Sequence, residues 1–190
     1  MSAHQFPDIY EEFGIDLSKL GCVMLPTETP DTSFIDESDL YVSPDPAKFW
    51  IKGRAGDNAH VTLRYGLLPQ VRRKHVDRVL ADLTLPSYIQ GMRLEKFDSP
   101  YPDEPYECIV LRIYPENVMD RSEADLLMLN QNLAYLPNVN TFPGYKAHIT
   151  LAYVQEGWYA DYKAGRGFEY PLEDEWIATK GVLDYGKMQP

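Results

Sequence analysis

Apolar residues recur along the chain with a period of two in several short segments and with a helical period in two others. Leu20-Gly21-Cys22-Val23-Met24-Leu25 is a continuous apolar run and reads as a first buried strand. Residues 59–66 alternate cleanly and form a second strand. Pro69 then opens a helix to about Leu83, with Val71, Val76, Val79, Leu80 and Leu83 on its apolar side. Tyr88–Phe97 and Tyr106–Tyr114 give two more strands, joined by the proline-rich turn Ser99-Pro100-Tyr101-Pro102. Ser122 caps a second helix over Glu123–Leu136. A loop containing Pro137 and Pro143 leads to a strand at Lys146–Val154, and the last strand is Trp176–Tyr185.

Strand pairs thus alternate with single helices, the order of an α+β fold rather than a doubly wound sheet. All 190 residues fit one domain. Residues 1–16 form a polar arm closed near Gly14, and residues 26–58 form an acidic and aromatic insertion before the second strand. Within it, residues 34–40 have the pattern of a short helical turn, and 49–54 that of a short strand or ordered loop.

Composition narrows the partners. The net charge is −11. Proteins that hold long nucleic acid neutralise several phosphates with a basic face, so a long duplex is excluded as partner, whereas a small phosphate ligand needs only two or three local donors. No apolar run reaches the roughly 20 residues of a membrane span, and the N-terminal residues lack the features of a secretory signal. A cytoplasmic protein is expected, and reduced thiols at Cys22 and Cys108 fit that compartment.

One internal echo carries chemistry. Residues 60–65 read His-Val-Thr-Leu-Arg-Tyr and residues 148–153 read His-Ile-Thr-Leu-Ala-Tyr. The chain has four histidines, and two of them begin this pattern. Strand alternation puts His60, Thr62 and Arg64 on one face, with Val61, Leu63 and Tyr65 behind. His148 and Thr150 likewise share a face. A neutral imidazole can take a proton from an attacking hydroxyl or water while a protonated one gives a proton to the leaving oxygen. The threonine hydroxyls suit non-bridging phosphate oxygens, and Arg64 adds charge. Lys146, two residues before His148, is a second phosphate contact. No His-x-His, His-Glu-x-x-His or Cys-x-x-Cys pattern offers a metal cage, so neither metal nor cofactor is expected.

Paired His-x-Thr motifs about ninety residues apart, each on a strand, resemble the two-histidine (2H) phosphoesterase superfamily. That group contains 2′-5′ RNA ligase-like proteins, 2′,3′-cyclic phosphodiesterases and phage anti-CBASS enzymes. The resemblance implies a pseudo-symmetric, bilobal α+β fold, with two antiparallel sheets flanking a central cleft and helices outside. It makes His60 and His148 the acid–base pair and Thr62 and Thr150 the phosphate binders. Ala152 stands where the first copy has Arg64, and the 26–58 insertion matches no motif of that group.

The function expected is metal-independent hydrolysis of phosphodiester bonds in a small cyclic or short oligonucleotide. Degradation of a cyclic oligonucleotide immune signal, in a host cytoplasm if the chain is viral, is one form of it. An RNA-processing 2′,3′-cyclic phosphodiesterase or 2′-5′ ligase and a non-catalytic nucleotide-binding module are the alternatives, and the oligomeric state stays open. The aromatic groups Phe49/Trp50 and Trp158/Tyr159/Tyr162 read equally as base-stacking platforms and as core. His75, the basic run Arg72-Arg73-Lys74 and His4 read as solvated surface.

Overall fold

The computed structural model describes residues 14–139, 144–165 and 175–190. The expected N-terminal arm, apart from residues 14–16, lies outside the described residues, as do His4 and Pro143. The elements are β1 (Gly21–Pro26), β2 (His60–Leu67), α1 (Arg73–Val79), β3 (Tyr88–Asp98), β4 (Tyr106–Val118), α2 (Leu126–Leu133), β5 (His148–Gln155), α3 (Trp158–Gly165) and β6 (Trp176–Ala178). They give a mixed helix–strand fold whose six strands join in one sheet of order β1-β2-β5-β4-β3-β6. Every named pairing is antiparallel.

The two motif strands are neighbours in this sheet. The ladder between β2 and β5 has one registered pair, Val61 with Ile149. Beyond it, Arg54 bridges to Ala152 and Leu40 to Val154, so chain from the insertion takes up the edge of β5.

The α1 and α2 helices cover one face of the sheet. Val76 and Leu80, together with Leu126, Leu129 and Leu133, pack against Val23, Leu25, Val61, Leu63, Ile109, Leu111 and Ile149. Both helices are shorter than their apolar periods predict. Residues 68–71 turn before α1, with the Val71 N–H donating to the Leu68 carbonyl. His75 then caps the helix by accepting from the Arg72 N–H at 3.0 Å. That is a structural role for His75, where solvation alone was expected. In α2 the cap is Asp125, which accepts from the Met128 N–H at 2.7 Å. Ser122, the expected cap, instead bonds Asp120 in a turn one step earlier. A carboxylate placed three residues before a helical N–H competes well for the cap position.

The last strand is also shorter than its apolar pattern. At Gly181 the backbone turns through φ 68°, and the chain leaves β3 for β1. Lys180 N–H donates to the Pro26 carbonyl, and Met24 and Asp184 exchange backbone bonds. The outer edge of β1 is therefore occupied.

The insertion is pinned rather than loose. The Arg54 guanidinium donates to the Thr32 carbonyl at 2.5 Å and to the Ile35 carbonyl, and it pairs with Glu37. Glu104 is 2% exposed and accepts from Ser43 Oγ at 2.6 Å and Tyr41 OH at 3.1 Å, with Lys48 Nζ at 3.0 Å. Ile51 is buried against Tyr106, Cys108 and Val110, on the sheet face opposite the α1/α2 core.

Candidate active site

That second face carries the motif residues. The Val61–Ile149 pair fixes the register. One step either way sets His60 opposite Thr150 and Thr62 opposite His148, with all four side chains on one face. The two histidines lie on the diagonal of this square, which spans roughly 7 Å between backbones. Each imidazole is oriented in the same manner. His60 Nδ1 lies 2.8 Å from the Asn58 carbonyl, and His148 Nδ1 lies 2.6 Å from the Lys146 carbonyl. A carbonyl only accepts, so Nδ1 carries the hydrogen in both rings and Nε2 is left to exchange protons.

The flanking strands repeat each other as well. On β1 and β2 the partners are Cys22–Tyr65, Val23–Arg64, Met24–Thr62, Leu25–Val61 and Pro26–His60. On β4 and β5 they are Cys108–Tyr153, Ile109–Ala152, Val110–Thr150, Leu111–Ile149 and Arg112–His148. Both ladders slip at the same place, leaving Leu63 and Leu151 as the extra residues of two β-bulges.

These bulges overturn one expectation from simple alternation. An extra residue shifts the side-chain phase by one. Tyr65 and Tyr153 therefore come round to the face of the threonines, beside Cys22 and Cys108. Thr62 lies beside the Cys22 thiol, and Thr150 and Tyr153 lie beside the Cys108 thiol, close enough for each to favour its thiolate. Arg64 goes the other way. Its partner Val23 is in the core, and its Nη2 donates to Asn138 Oδ1 at 2.5 Å, beyond α2. Arg64 is not brought to the histidine face.

Other expected contacts separate in the same way. Trp158 stacks on Tyr162 at 4.8 Å, lies 6.2 Å from Phe34, and donates its indole N–H to Asp39. Tyr159 donates its hydroxyl to the Leu94 carbonyl, and its backbone N–H donates to Glu107. Both rings pack against the α1/α2 side of the sheet, so they are structural. The spacing of Trp158 and Tyr162 was itself a helix signal, because residues four apart meet on one helical face. Lys146 is exposed just before β5, and its carbonyl orients His148. Trp50 is 42% exposed and meets Phe49 edge-on at 5.6 Å, beside the buried Ile51.

The face also carries residues that the motifs do not announce. Phe97 meets His148 edge-on, with centroids 4.9 Å apart. Arg112 is the direct partner of His148. It interrupts the apolar run Cys108–Ile113, and a lone cation in such a strand was the available signal. Burial is the largest cause holding the His148 imidazole below its ordinary pKa of 6.5. The charges of Arg112 and His60 act in the same direction, while the Lys146 carbonyl and Glu95 oppose. The coupling to His60 fits two rings that share one site.

Among the described residues, no three His, Cys, Asp or Glu side chains converge as metal ligands, and no helix is long and apolar enough to cross a membrane. The chain matches no protein-family model and none of the curated proteins with which it was compared.

Proposed function

We propose that the chain is a metal-independent phosphodiesterase of the two-histidine type, acting on a small cyclic or short oligonucleotide. The observation that carries this reading is the square of His60, Thr62, His148 and Thr150 on one sheet face, with both imidazoles tied through Nδ1 to the carbonyl two residues before. Agreement of the two flanking ladders from Cys22–Tyr65 to Pro26–His60 and from Cys108–Tyr153 to Arg112–His148, the bulges at Leu63 and Leu151 included, supports a pseudo-symmetric, two-lobed arrangement about the β2–β5 contact.

The electrostatics suggest a division of labour. His148, held neutral, would act as general base through Nε2 and take the proton of the attacking hydroxyl or water. As the new P–O bond forms, the leaving oxygen separates from phosphorus and receives a proton from His60. Thr62 and Thr150 would donate their hydroxyls to the non-bridging oxygens, where charge grows. When the substrate supplies a 2′-hydroxyl next to the scissile linkage, that hydroxyl is the internal nucleophile.

The net charge of −11 favours a short substrate over a long RNA, since holding a polyanion takes an extended basic path. Product analysis tests the proposal: the protein is incubated with cyclic di- and trinucleotides and with 2′,3′-cyclic mononucleotides in the presence of chelator. Cleavage in at least one class is the expected result. Recovery of every substrate intact from excess protein after denaturation would instead favour a nucleotide-binding module.

A further inference from the structure

Beside the histidine square, strands β4 and β3 set two arginines directly against each other. Arg93 and Arg112 are cross-strand partners. Arg112 is itself the partner of His148, so all three side chains project from the same sheet face. Like charges directly opposed across an antiparallel pair are unfavourable unless something neutralises them. One carboxylate bridges them here: Glu95 lies 2.6 Å from Arg93 Nη2 and 3.4 Å from Arg112 Nη1. A single negative charge between two positive ones leaves a local excess of one, in a chain whose net charge is −11.

Arg112 is incompletely satisfied as well. Its side chain is 16% exposed, and its Nε is buried without a hydrogen-bond partner. A buried donor left unpaired costs stability, and among the described residues Arg64 Nε, on the other face, is in the same state. A guanidinium is suited to phosphate because its N–H groups form a planar fork.

We infer that Arg112 and Arg93 form a second anion subsite, which takes a phosphate one linkage away from the phosphate between the histidines. The inference rests on the reading of His60 and His148 as the catalytic pair. The spacing follows from the sheet. Neighbouring strands are about 4.8 Å apart, so a phosphate over the β2–β5 contact is roughly 7 Å from β4 and 12 Å from β3. Arg93 stands on the far side of β4 from the imidazoles, so a second phosphate suits it better than the one held between them. A substrate with two phosphates can fill both positions, and a 2′,3′-cyclic mononucleotide cannot. The substrate class is therefore a cyclic or linear dinucleotide or larger, rather than a single nucleotide end.

The test compares a 3′,5′-cyclic dinucleotide of adenosine with adenosine 2′,3′-cyclic phosphate. Arg93 is 57% exposed, so Arg93→Gln is compatible with folding, and Arg112→Lys keeps a charge while removing the planar fork. In each variant the ratio of kcat/KM for the dinucleotide over the mononucleotide should fall at least about tenfold. In the His60→Ala background, Arg93→Gln should weaken dinucleotide binding by a similar factor and lower the salt dependence by about one phosphate contact. A selectivity ratio within twofold of wild type in both variants, with the dinucleotide bound equally well, overturns the subsite and leaves the phosphodiesterase reading intact. Dinucleotide binding that depends on Arg93, with no turnover of either compound, supports the subsite and sinks the catalytic reading instead.

Discussion

Arg112 and His148 face each other directly across β4 and β5, and the guanidinium is one of the charges that disfavour a proton on the imidazole. The acidic limb of kcat/KM reports the general base in the free enzyme, so its midpoint should lie below 6.5. Arg112→Gln should move that limb upward, because removing a nearby cation eases protonation of His148. An unmoved limb would detach His148 from the base role. Stability carries the same linkage. As pH falls below about 6.5 the unfolded chain takes up the His148 proton before the folded one does, so this contribution declines through the window beneath 6.5 and is fully present above it.

Replacing either imidazole should abolish turnover and spare the fold. His60 and His148 stand on the face away from the α1/α2 core, and neither belongs to a buried apolar cluster. His60→Ala and His148→Ala should each lower kcat by at least about a hundredfold. Their melting temperatures should stay within a few degrees of wild type. Thermal melts alongside steady-state rates decide this, and near-normal turnover in either variant would remove that histidine from the chemistry.

Both cysteines are free, and both thiols are strongly resistant to ionisation. Burial is the largest cause that pushes Cys22 up to about 11 and Cys108 up to about 12, against the neighbouring Thr62, Thr150 and Tyr153 hydroxyls, which act the other way. The thiolate is the reactive form, so at pH 8 an aromatic disulfide reagent should label the native protein at least about a hundredfold more slowly than the denatured chain. Rapid stoichiometric labelling of the native protein would mean that the threonine face is far more open to solvent than the geometry indicates.

The parts of this molecule that the sequence made legible are those governed by local periodicity. The strands β1 to β5 and the two core helices follow from alternation and helical spacing, and the histidines and threonines share a face because period two dictates it within His-x-Thr. What alternation could not convey is the pair of bulges at Leu63 and Leu151, which arise from how each motif strand pairs with its neighbour. That slip exchanges Arg64 for Tyr65 on the working face. Arg112 and Arg93 were missed for a related reason. They come to the histidine face only through sheet order, and strand order is a long-range property that a single segment does not encode. The helix α3 is not announced by an apolar stripe: its aromatic residues read equally as base-stacking platforms and as core, and the Trp158–Tyr162 spacing of four is the helical signal.

Ile51 offers a way to probe the insertion separately from the histidine square. It is buried against Tyr106, Cys108 and Val110, on the sheet face that bears Thr150 and His148, and it follows the exposed pair Phe49 and Trp50 in the chain. Ile51→Ala removes apolar atoms from a packed site and should cost about 2–4 kcal/mol, read as a lower denaturant midpoint. Trp50→Ala removes a ring that is 42% exposed, so the stability change should stay within roughly 0.5 kcal/mol. If the insertion frames the substrate, both variants should raise KM more than they lower kcat, because the histidines and threonines are held by β2 and β5 and not by this loop. The pair of measurements separates packing from contact. A raised KM in Trp50→Ala without lost stability assigns the indole to the substrate. An unchanged KM in Trp50→Ala, with KM raised only in Ile51→Ala, leaves the loop a structural cover whose position matters and whose exposed ring does not.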